Sequence, residues 1–276
     1  MENLSGKNLS VAFYWHMHQP VYELDGVFLM PWARLHAVKD YLDMVNVIEK
    51  YPRLKLNINI VPALLDELIQ YTEEGFNDIH SSLTVSDIEG LARSEKEYIL
   101  NNFFNSKYET MIYNYPTYRK LFKKRFASNS ITVDDFSNQE FSDLMALFNL
   151  SWIDPTHYER YPELEKLAKK GHNYTQKDRI KIIEFHKEII KEISPTYKRY
   201  IKEGRIELTT SPYYHPIMPI LCDYETAAKN LPNRENLPIN FDLTDDAHYH
   251  VKSALDRIQE VFGIRPRGMW QMPLQV

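Results

Sequence analysis

Residues 55–69 read KLNINIVPALLDELI and join a strand pattern directly to a helix pattern. Apolar and polar residues alternate from Lys55 to Ile60, which is the two-residue period of a β-strand. Pro62 follows at a position where a first helical turn tolerates a missing N–H, and the helix pattern continues through Ile69. A strand that passes straight into a helix predicts a parallel sheet covered by helices.

Three further segments predict strands of the same sheet. Leu9 to Tyr14 forms an apolar run that would deliver His16 and His18 at its carboxyl end. The segments Arg205–Ser211 (RIELTTS) and Pro266–Trp270 (PRGMW) carry the third and fourth strand patterns.

Between the second and third strands, from about Thr72 to Gly204, the pattern is helical, and we interpret it as one large insertion. Possible capping boxes pair Ser86 with Glu89, Ser137 with Glu140 and Thr175 with Asp178. The last helix of this stretch is predicted to break at Ser194-Pro195 and to end at Gly204. A final helix is predicted to be capped by Thr244 and closed by Gly263.

The composition favours a neutral substrate. A net charge of -5 over 276 residues gives no basic surface, so neither nucleic acid nor an anionic membrane is an expected partner. Aromatic residues make up 13% of the chain, and their faces suit sugar rings. The single cysteine, Cys222, and a polar N-terminus without a secretory segment predict a cytoplasmic protein. No apolar run is long enough to predict a membrane span.

Candidate functional residues follow the predicted strands. His16 and His18 alternate past the first strand and would share a face; they could hydrogen-bond sugar hydroxyls or bind a metal, or be satisfied by neighbouring backbone. Glu207 lies between two apolar residues in the third strand and so points to the polar side, either as a functional carboxylate or in a structural ion pair. The loop PYYHPIMPI contains three prolines and is predicted to be stiff and exposed, displaying Tyr213, Tyr214 and His215.

Several of these segments together resemble glycoside hydrolase family 57. WHMHQPVYELDG followed by PWARLHAVKDY resembles the first signature region of the family, and RIELTTSPYYHPIMPI resembles the second, in the α-amylase-like or amylopullulanase-like subgroup. LFNLSWIDP is similar to part of the family's helical insertion, and PRGMW to the start of the third region. The resemblance spans nearly the whole chain in the expected order.

The resemblance implies an incomplete TIM-like (β/α)7 barrel that cleaves or transfers α-glucan linkages with retention of configuration. Such chemistry uses a carboxylate nucleophile and a carboxylic acid, without a metal or another cofactor. By position, His16, His18 and Gln19 would contact the sugar and Glu207 would orient the site. Further candidate substrate-binding residues implied by the resemblance are Trp32, Arg34, Trp152, Tyr213, Tyr214, His215 and Trp270.

The chain departs from the family pattern in the third region. The nucleophilic Glu would stand three residues after Trp270, where this sequence has Pro273, and no Asp or Glu follows Glu260. We therefore expect a fragment of a single catalytic domain, truncated after about the fourth strand, with little or no glycosidase activity of its own.

Two other functions remain open at this point. One is a non-catalytic protein that binds α-glucan or maltooligosaccharide and has lost the chemistry. The other is a metal-dependent barrel hydrolase in which His16 and His18, with His215 as a possible third ligand, would bind Zn²⁺ or a similar ion.

Overall fold

The computed structural model describes residues 11–75, 77–223, 225 and 242–271. The chain divides into two compact units. The first consists of Met1–Pro20, Ile48–Leu65 and Tyr197–Val276, and the second of Val21–Val47 and Asp66–Thr196. The first unit contains a parallel sheet, and the second is mostly helical.

The strands are β1 (Tyr14–Met17), β2 (Glu23–Leu24), β3 (Val27–Phe28), β4 (Leu56–Ile60) and β5 (Ile206–Thr210). The α-helices among the described residues are α1 (Trp32–His36), α2 (Asp43–Lys50), α3 (Pro62–Ile69), α4 (Ile79–Val85), α5 (Arg93–Asn102), α6 (Pro116–Arg125), α7 (Asn138–Trp152), α8 (Pro162–Lys170), α9 (Gln176–Lys202), α10 (Met218–Cys222) and α11 (Thr244–Phe262). Three π-helical turns, Ala37–Tyr41, Gln70–Glu74 and Tyr108–Ile112, adjoin or separate them. None of the helices in the described ranges has the length and apolar character needed to cross a bilayer.

The sheet of the first unit has the order β1-β4-β5, with both pairs parallel. The predicted α/β class with a parallel sheet and covering helices is therefore confirmed. The segment that forms β4 and α3 lies where the sequence predicts it, with α3 beginning at Pro62. Ile58, Ile60 and Leu208 point to the buried side of the sheet. Beyond β5, α11 contacts the strand and packs against α10.

The first strand begins later than predicted. Strand β1 starts at Tyr14, so His16 lies within the strand and only His18 follows it. The physical reason is that β1 pairs with β4, and β4 does not begin until Leu56. Backbone hydrogen bonding with β4 reaches back only to the carbonyl of Phe13. Leu9 and Ser10, where we expected the strand to start, lie outside the described residues.

The predicted fourth strand is reduced to a single parallel bridge between Thr210 and Met269. Thr210 donates its N–H to the carbonyl of Gly268 at 3.3 Å and accepts the N–H of Trp270 at 2.9 Å. Pro266 has no N–H to donate, which limits regular pairing. Gly268 is required here because a Cβ at this position would lie 2.9 Å from Cγ2 of Thr209.

Helices fill the segment between β4 and β5, as the sequence predicts. In the second unit α7 is buried on all sides from Phe141 to Ser151, and α4, α5 and α6 pack around it. The capping boxes at Ser137/Glu140 and Thr175/Asp178 are formed.

Four local predictions are wrong. Asp87, not Ser86, caps the turn that contains Glu89, because the Asp87 side chain accepts the N–H of Glu89 at 3.2 Å. Thr244 is the first residue of α11 and its N–H is bonded by Asp242, so Thr244 is not the cap. Helix α9 continues through Pro195 and ends, as predicted, before Gly204. The buried side chains Ile193 and Tyr197 hold the helix on either side of the proline.

The fourth wrong prediction concerns the loop after β5, which is less exposed than predicted. Tyr214 is exposed, but His215 is buried and Tyr213 is half-buried. The reason is the backbone: His215 adopts φ 56° and donates its N–H to the carbonyl of Pro212 at 2.7 Å, which turns the chain inward. From Met218 the loop forms the short helix α10.

Candidate active site

The polar face of the parallel sheet carries two levels of side chains. The strand register aligns Tyr14 with Asn57 and Glu207, and one repeat further on it aligns His16 with Asn59 and Thr209. Alternate residues of a strand share a face, so both levels point to the same side. The opposite face, with Ile58 and Leu208, packs into the core.

Asn59 is the centre of a hydrogen-bond network on this face. Its side chain is fully buried, with 0% exposure. Its Oδ1 lies 2.6 Å from Nδ1 of His16 and accepts the hydroxyl of Ser211 at 3.0 Å. Its Nδ2 donates to Oγ1 of Thr209 at 3.2 Å, which also bonds the phenol of Tyr14 at 2.7 Å.

Three imidazole rings and one indole ring gather beside this network, just past the strand ends. His18 and His215 stack with centroids 4.8 Å apart and planes 22° apart. His16 lies 5.9 Å from His18 and 4.9 Å from His215. Trp270 meets the His16 ring edge-on at 4.3 Å. We call His16, His18, His215 and Trp270 the imidazole cluster.

The imidazole cluster is electrically neutral at physiological pH. Burial, together with the neighbouring His215 and His16, lowers the pKa of His18 to about 4. Burial also lowers the pKa of His16, against the opposing effect of its bond to Asn59, and lowers the pKa of His215. A neutral imidazole has one donor and one acceptor nitrogen, which is the hydrogen-bonding character of a hydroxyl.

The cluster has hydrogen-bonding capacity to spare. Nδ1 of His18 and both ring nitrogens of His215 are buried and find no hydrogen-bond partner among the residues that the structure describes. Buried polar atoms without partners are costly, and they are frequently satisfied by a bound molecule or water. Trp270 adds an aromatic surface that is 38% exposed.

The described residues contain no group of three or more His, Cys, Asp or Glu side chains arranged to hold a metal ion. The stacked rings of His18 and His215 are placed face to face rather than with their nitrogens converging on one point. The geometry therefore does not favour the metal-hydrolase interpretation.

Other predicted residues of the first unit lie around the cluster. Gln19 is half-buried. Tyr213 and Tyr214 form an edge-on pair with centroids 5.0 Å apart, and Tyr214 also contacts His250. The backbone of Tyr213 is anchored by its carbonyl, which accepts the N–H of Ala63, and by its own N–H, which bonds His250.

Glu207 points to the polar face, as predicted, at the level of Asn57. It pairs in register with Asn57, two residues before the level of His16, which is roughly 6–7 Å along the strand. Its exposed side chain borders a cavity of about 650 Å³ that is also lined by Lys55, Arg205 and Arg267. Its level on the sheet therefore differs from that of His16, because periodicity fixes only the face of a strand and strand pairing fixes the level.

In the second unit, Trp32 and Trp152 form an aromatic pair with centroids 5.9 Å apart. His36 meets Trp152 edge-on at 5.5 Å and bonds Asp40 through Nδ1 at 2.8 Å. Both tryptophans are partly exposed, so they keep the surface that a sugar contact requires.

Arg34 is not a cleft residue. Its guanidinium is fully buried and forms two bonds with Asp78, at 2.6 and 3.1 Å, and others with Asn149 and His186. Burial would raise the pKa of Asp78, but Arg34 outweighs this effect and lowers it to about 2. The arginine lies on the same short helix as Trp32 but on its buried side, where it forms a structural ion pair.

Sequence reasoning missed Asn59, Thr209, Ser211 and Tyr14. Asn59 alternates with Ile58 and Ile60 on β4, a pattern that by itself indicates only a solvated face. Thr209 and Ser211 belong to a run of hydroxyl residues at the end of β5, and Tyr14 is an aromatic residue of β1, so no alternation of polar with apolar residues marks them. Aligning the strands by their carboxyl ends would have placed these side chains beside His16. The expected nucleophile position, Pro273, lies outside the described residues.

Solved structures of known proteins are similar to this chain over most of its length. No protein of curated function matches this sequence. Similar solved structures include two family 57 branching enzymes, from Thermococcus kodakaraensis (13% identity, TM-score 0.39) and Pyrococcus horikoshii (15%, 0.40). A third is the α-amylase AmyC from Thermotoga maritima (12%, 0.40). Each covers 94% of this chain, whereas the chain spans only 32%, 34% and 34% of theirs, respectively.

The family model described as glycosyl hydrolase family 57 matches residues 12–274, which include both histidines of the first strand region, the β5 segment and Trp270. The chain belongs to glycosyl hydrolase family 57.

Proposed function

We propose that this chain is the substrate-contacting part of an α-glucan-processing enzyme that works with retention, as an α-amylase-like hydrolase or a 4-α-glucanotransferase. The imidazole cluster is the observation that carries the proposal. Three uncharged rings with free nitrogens beside a partly exposed indole match a sugar, which offers hydroxyls at its rim and C–H groups on its faces.

A neutral cluster also selects among substrates. An anionic ligand would be drawn to charged imidazolium, but the pKa of each of the three histidines is lowered and the rings stay uncharged at neutral pH. Maltooligosaccharides are neutral and rich in hydroxyls, so they fit both the charge and the hydrogen-bonding character of the site. Gln19, Tyr213 and Tyr214 are the proposed further contacts of this site. Trp32 and Trp152 are proposed separately, as sugar-contacting residues of the second unit.

We propose that the sheet of the first unit belongs to an incomplete (β/α)7 barrel of one catalytic domain, with residues 72–204 as its helical insertion. The parallel order β1-β4-β5 and the bridge at Met269 support this proposal. Glu207 would then lie on the inner face of the barrel, one level below the imidazole cluster. The chain has a single cysteine, Cys222, which favours a reducing compartment, and we therefore propose a cytoplasmic location.

Retaining chemistry needs two carboxyl groups roughly 5–5.5 Å apart. Pro273 stands where a family nucleophile is expected. We therefore propose that this chain binds α-glucan and, by itself, turns it over very slowly. Loss of a nucleophile typically lowers the rate by several powers of ten.

Calorimetric titration with maltopentaose tests the binding function. We expect the wild-type chain to bind, and Trp270→Ala to bind roughly tenfold or more weakly, because it removes an aromatic contact worth about 1–2 kcal/mol. Trp15→Ala is the matched control: Trp15 is 45% exposed on β1 but alternates with His16 and so points to the other face. Absence of binding by a folded wild-type chain, or equal losses in both variants, would contradict the proposal.

A reducing-sugar assay on the same samples tests the proposed slow turnover. We expect bound maltopentaose to remain intact on the time scale on which a family enzyme would consume it. Turnover at an ordinary enzymatic rate would show that carboxyl groups elsewhere in the chain carry out the reaction.

A further inference from the structure

Asn59 is a fully buried polar residue beside the imidazole cluster. It lies on β4, in the middle of the sheet, between His16 of β1 and Thr209 of β5. Its side chain has 0% exposure, so it cannot itself touch a substrate. A buried amide is retained at such a position only when its hydrogen bonds are satisfied.

In the structure the Asn59 amide points its Nδ2 towards Thr209 and its Oδ1 towards Ser211 and His16. Thr209 can donate its hydroxyl proton to the carbonyl of Ile58, at 3.4 Å, and its oxygen then accepts the Nδ2 of Asn59 and the phenol of Tyr14. With Nδ2 directed to Thr209, Oδ1 faces His16 and also accepts the hydroxyl of Ser211. In this orientation every bond of the network joins a donor to an acceptor.

The orientation of the amide decides where the His16 proton resides. An acceptor oxygen 2.6 Å from Nδ1 requires the proton on Nδ1. Since the ring is neutral, Nε2 then carries a lone pair. Nε2 makes no hydrogen bond to another described residue and is not closed off from solvent.

We propose that Asn59 is a positioning residue that holds His16 in the Nδ1–H tautomer, so that Nε2 presents a lone pair to a sugar hydroxyl. The role of the hydroxyl rests on the proposed glucan-binding function; the tautomer rests on the sheet alone. Thr209 and Ser211 contribute by keeping the amide of Asn59 from rotating. Burial of His16 supports the neutral state by lowering its pKa.

The tautomer can be read without any ligand, from the ring nitrogen chemical shifts of ¹⁵N-histidine-labelled protein. We expect wild-type His16, assigned with the His16→Gln variant, to show a protonated Nδ1 and an unprotonated Nε2. Asn59→Asp keeps an acceptor oxygen and should keep this tautomer, with the pKa of His16 moved upward by the added charge. Asn59→Leu keeps the approximate size but removes the acceptor, and should release His16 to a mixture of tautomers.

Asn57→Leu is the matched control. Asn57 lies on the same strand and the same face, but one level away from His16. The control should leave the His16 shifts unchanged. If Asn59→Leu does not fold, Ser211→Ala and Thr209→Val test the same network by removing the hydroxyls that orient the amide, and should broaden or shift the His16 signals. A wild-type His16 protonated on Nε2, or signals that respond alike to changes at Asn59 and Asn57, would overturn the proposal.

Maltopentaose binding then separates this proposal from the glucan-binding function. We expect Asn59→Leu to weaken binding roughly tenfold and Asn59→Asp to weaken it less, with the loss following the population of the wrong tautomer. A fixed tautomer in a protein that binds no maltopentaose would refute the glucan-binding function and leave the positioning role intact. Binding that stays unchanged when the tautomer is lost would refute the role of Nε2 as the acceptor for the sugar.

Discussion

Glu67 is a buried carboxyl group outside the imidazole cluster whose charge is costly to the fold. It lies on α3 with 1% exposure, and its Oε1 accepts the backbone N–H of Tyr22 at 2.9 Å. Its Oε2 is buried with no partner among the described residues. Burial raises the pKa of Glu67 from 4.5 to about 7, even though the Tyr22 N–H opposes the change. Near pH 7 the side chain is therefore partly protonated.

We predict that Glu67→Gln stabilises the protein at high pH and has little effect at low pH. A carboxyl whose pKa is raised by folding loses stability as pH rises from its unfolded value, about 4.5, to its folded value, about 7. Glutamine keeps the acceptor for Tyr22 but never ionises. The gain over wild type should grow across this window to at most about 3 kcal/mol above pH 7. Thermal unfolding between pH 4.5 and 8 measures it.

Glu89→Gln is the control for this experiment, because Glu89 is an exposed carboxylate in the same unit. Its unfolding temperature should follow that of the wild type at every pH. A Glu67→Gln gain that is independent of pH would mean that the carboxyl of Glu67 does not titrate in this window.

Single residues show what sequence patterns do and do not reveal. His16 and His18 were recognisable because their alternate spacing after a strand pattern places both rings on one face. Asn59 was not, since a polar residue that alternates with isoleucine on a strand resembles any solvated position. Arg34 was assigned to the substrate cleft by the resemblance alone, whereas it points into the helical core and meets Asp78. The direction of a side chain on a short helix depends on what packs against it.

At the scale of elements, patterns that are local in sequence were predicted best. The segment that forms β4 and α3 carries both its alternation and its proline signal within fifteen residues, and the structure places it as predicted. The start of β1 was not predictable in this way, because it depends on where β4 begins. The prediction of the fourth strand failed for a related reason. In this segment Met269 alone forms a bridge, and no local sequence pattern tells how many residues will pair with a neighbouring strand.

Helix α9 allows a prediction at this scale, since it passes through Pro195 without ending. A proline inside a helix lacks one hydrogen-bond donor and crowds the preceding turn. Pro195 is exposed, so its ring gains little from packing. We predict that Pro195→Ala raises the free energy of unfolding by about 1–3 kcal/mol, measured by denaturant or thermal unfolding.

Lys198→Ala, at another exposed position of α9, controls for a general effect of alanine on this helix. It should change the unfolding free energy by no more than a few tenths of a kcal/mol. An unchanged or lowered stability of Pro195→Ala would indicate that the proline is needed for the path of the helix.

At the scale of the whole molecule, the chain gathers its imidazole cluster from three separate stretches of sequence. His16 and His18 come from the first stretch, His215 and Trp270 come from the third, and the second supplies Asn59, which supports the cluster. Parallel strands require long crossovers, and the longest here is the helical segment before β5. The sequence could therefore predict that a polar sheet edge exists. It offered both His215 and Glu207 as partners of the two histidines and could not decide between them, because that depends on how the loop after β5 turns.

A crystal structure of the chain with maltopentaose is the most direct test of the account. We predict a glucose unit on the polar face of the sheet, with one hydroxyl about 2.7–3.2 Å from Nε2 of His16 and the C–H face of a sugar ring against Trp270. Maltopentaose bound elsewhere at saturating concentration, with the imidazole cluster free of sugar, would contradict it.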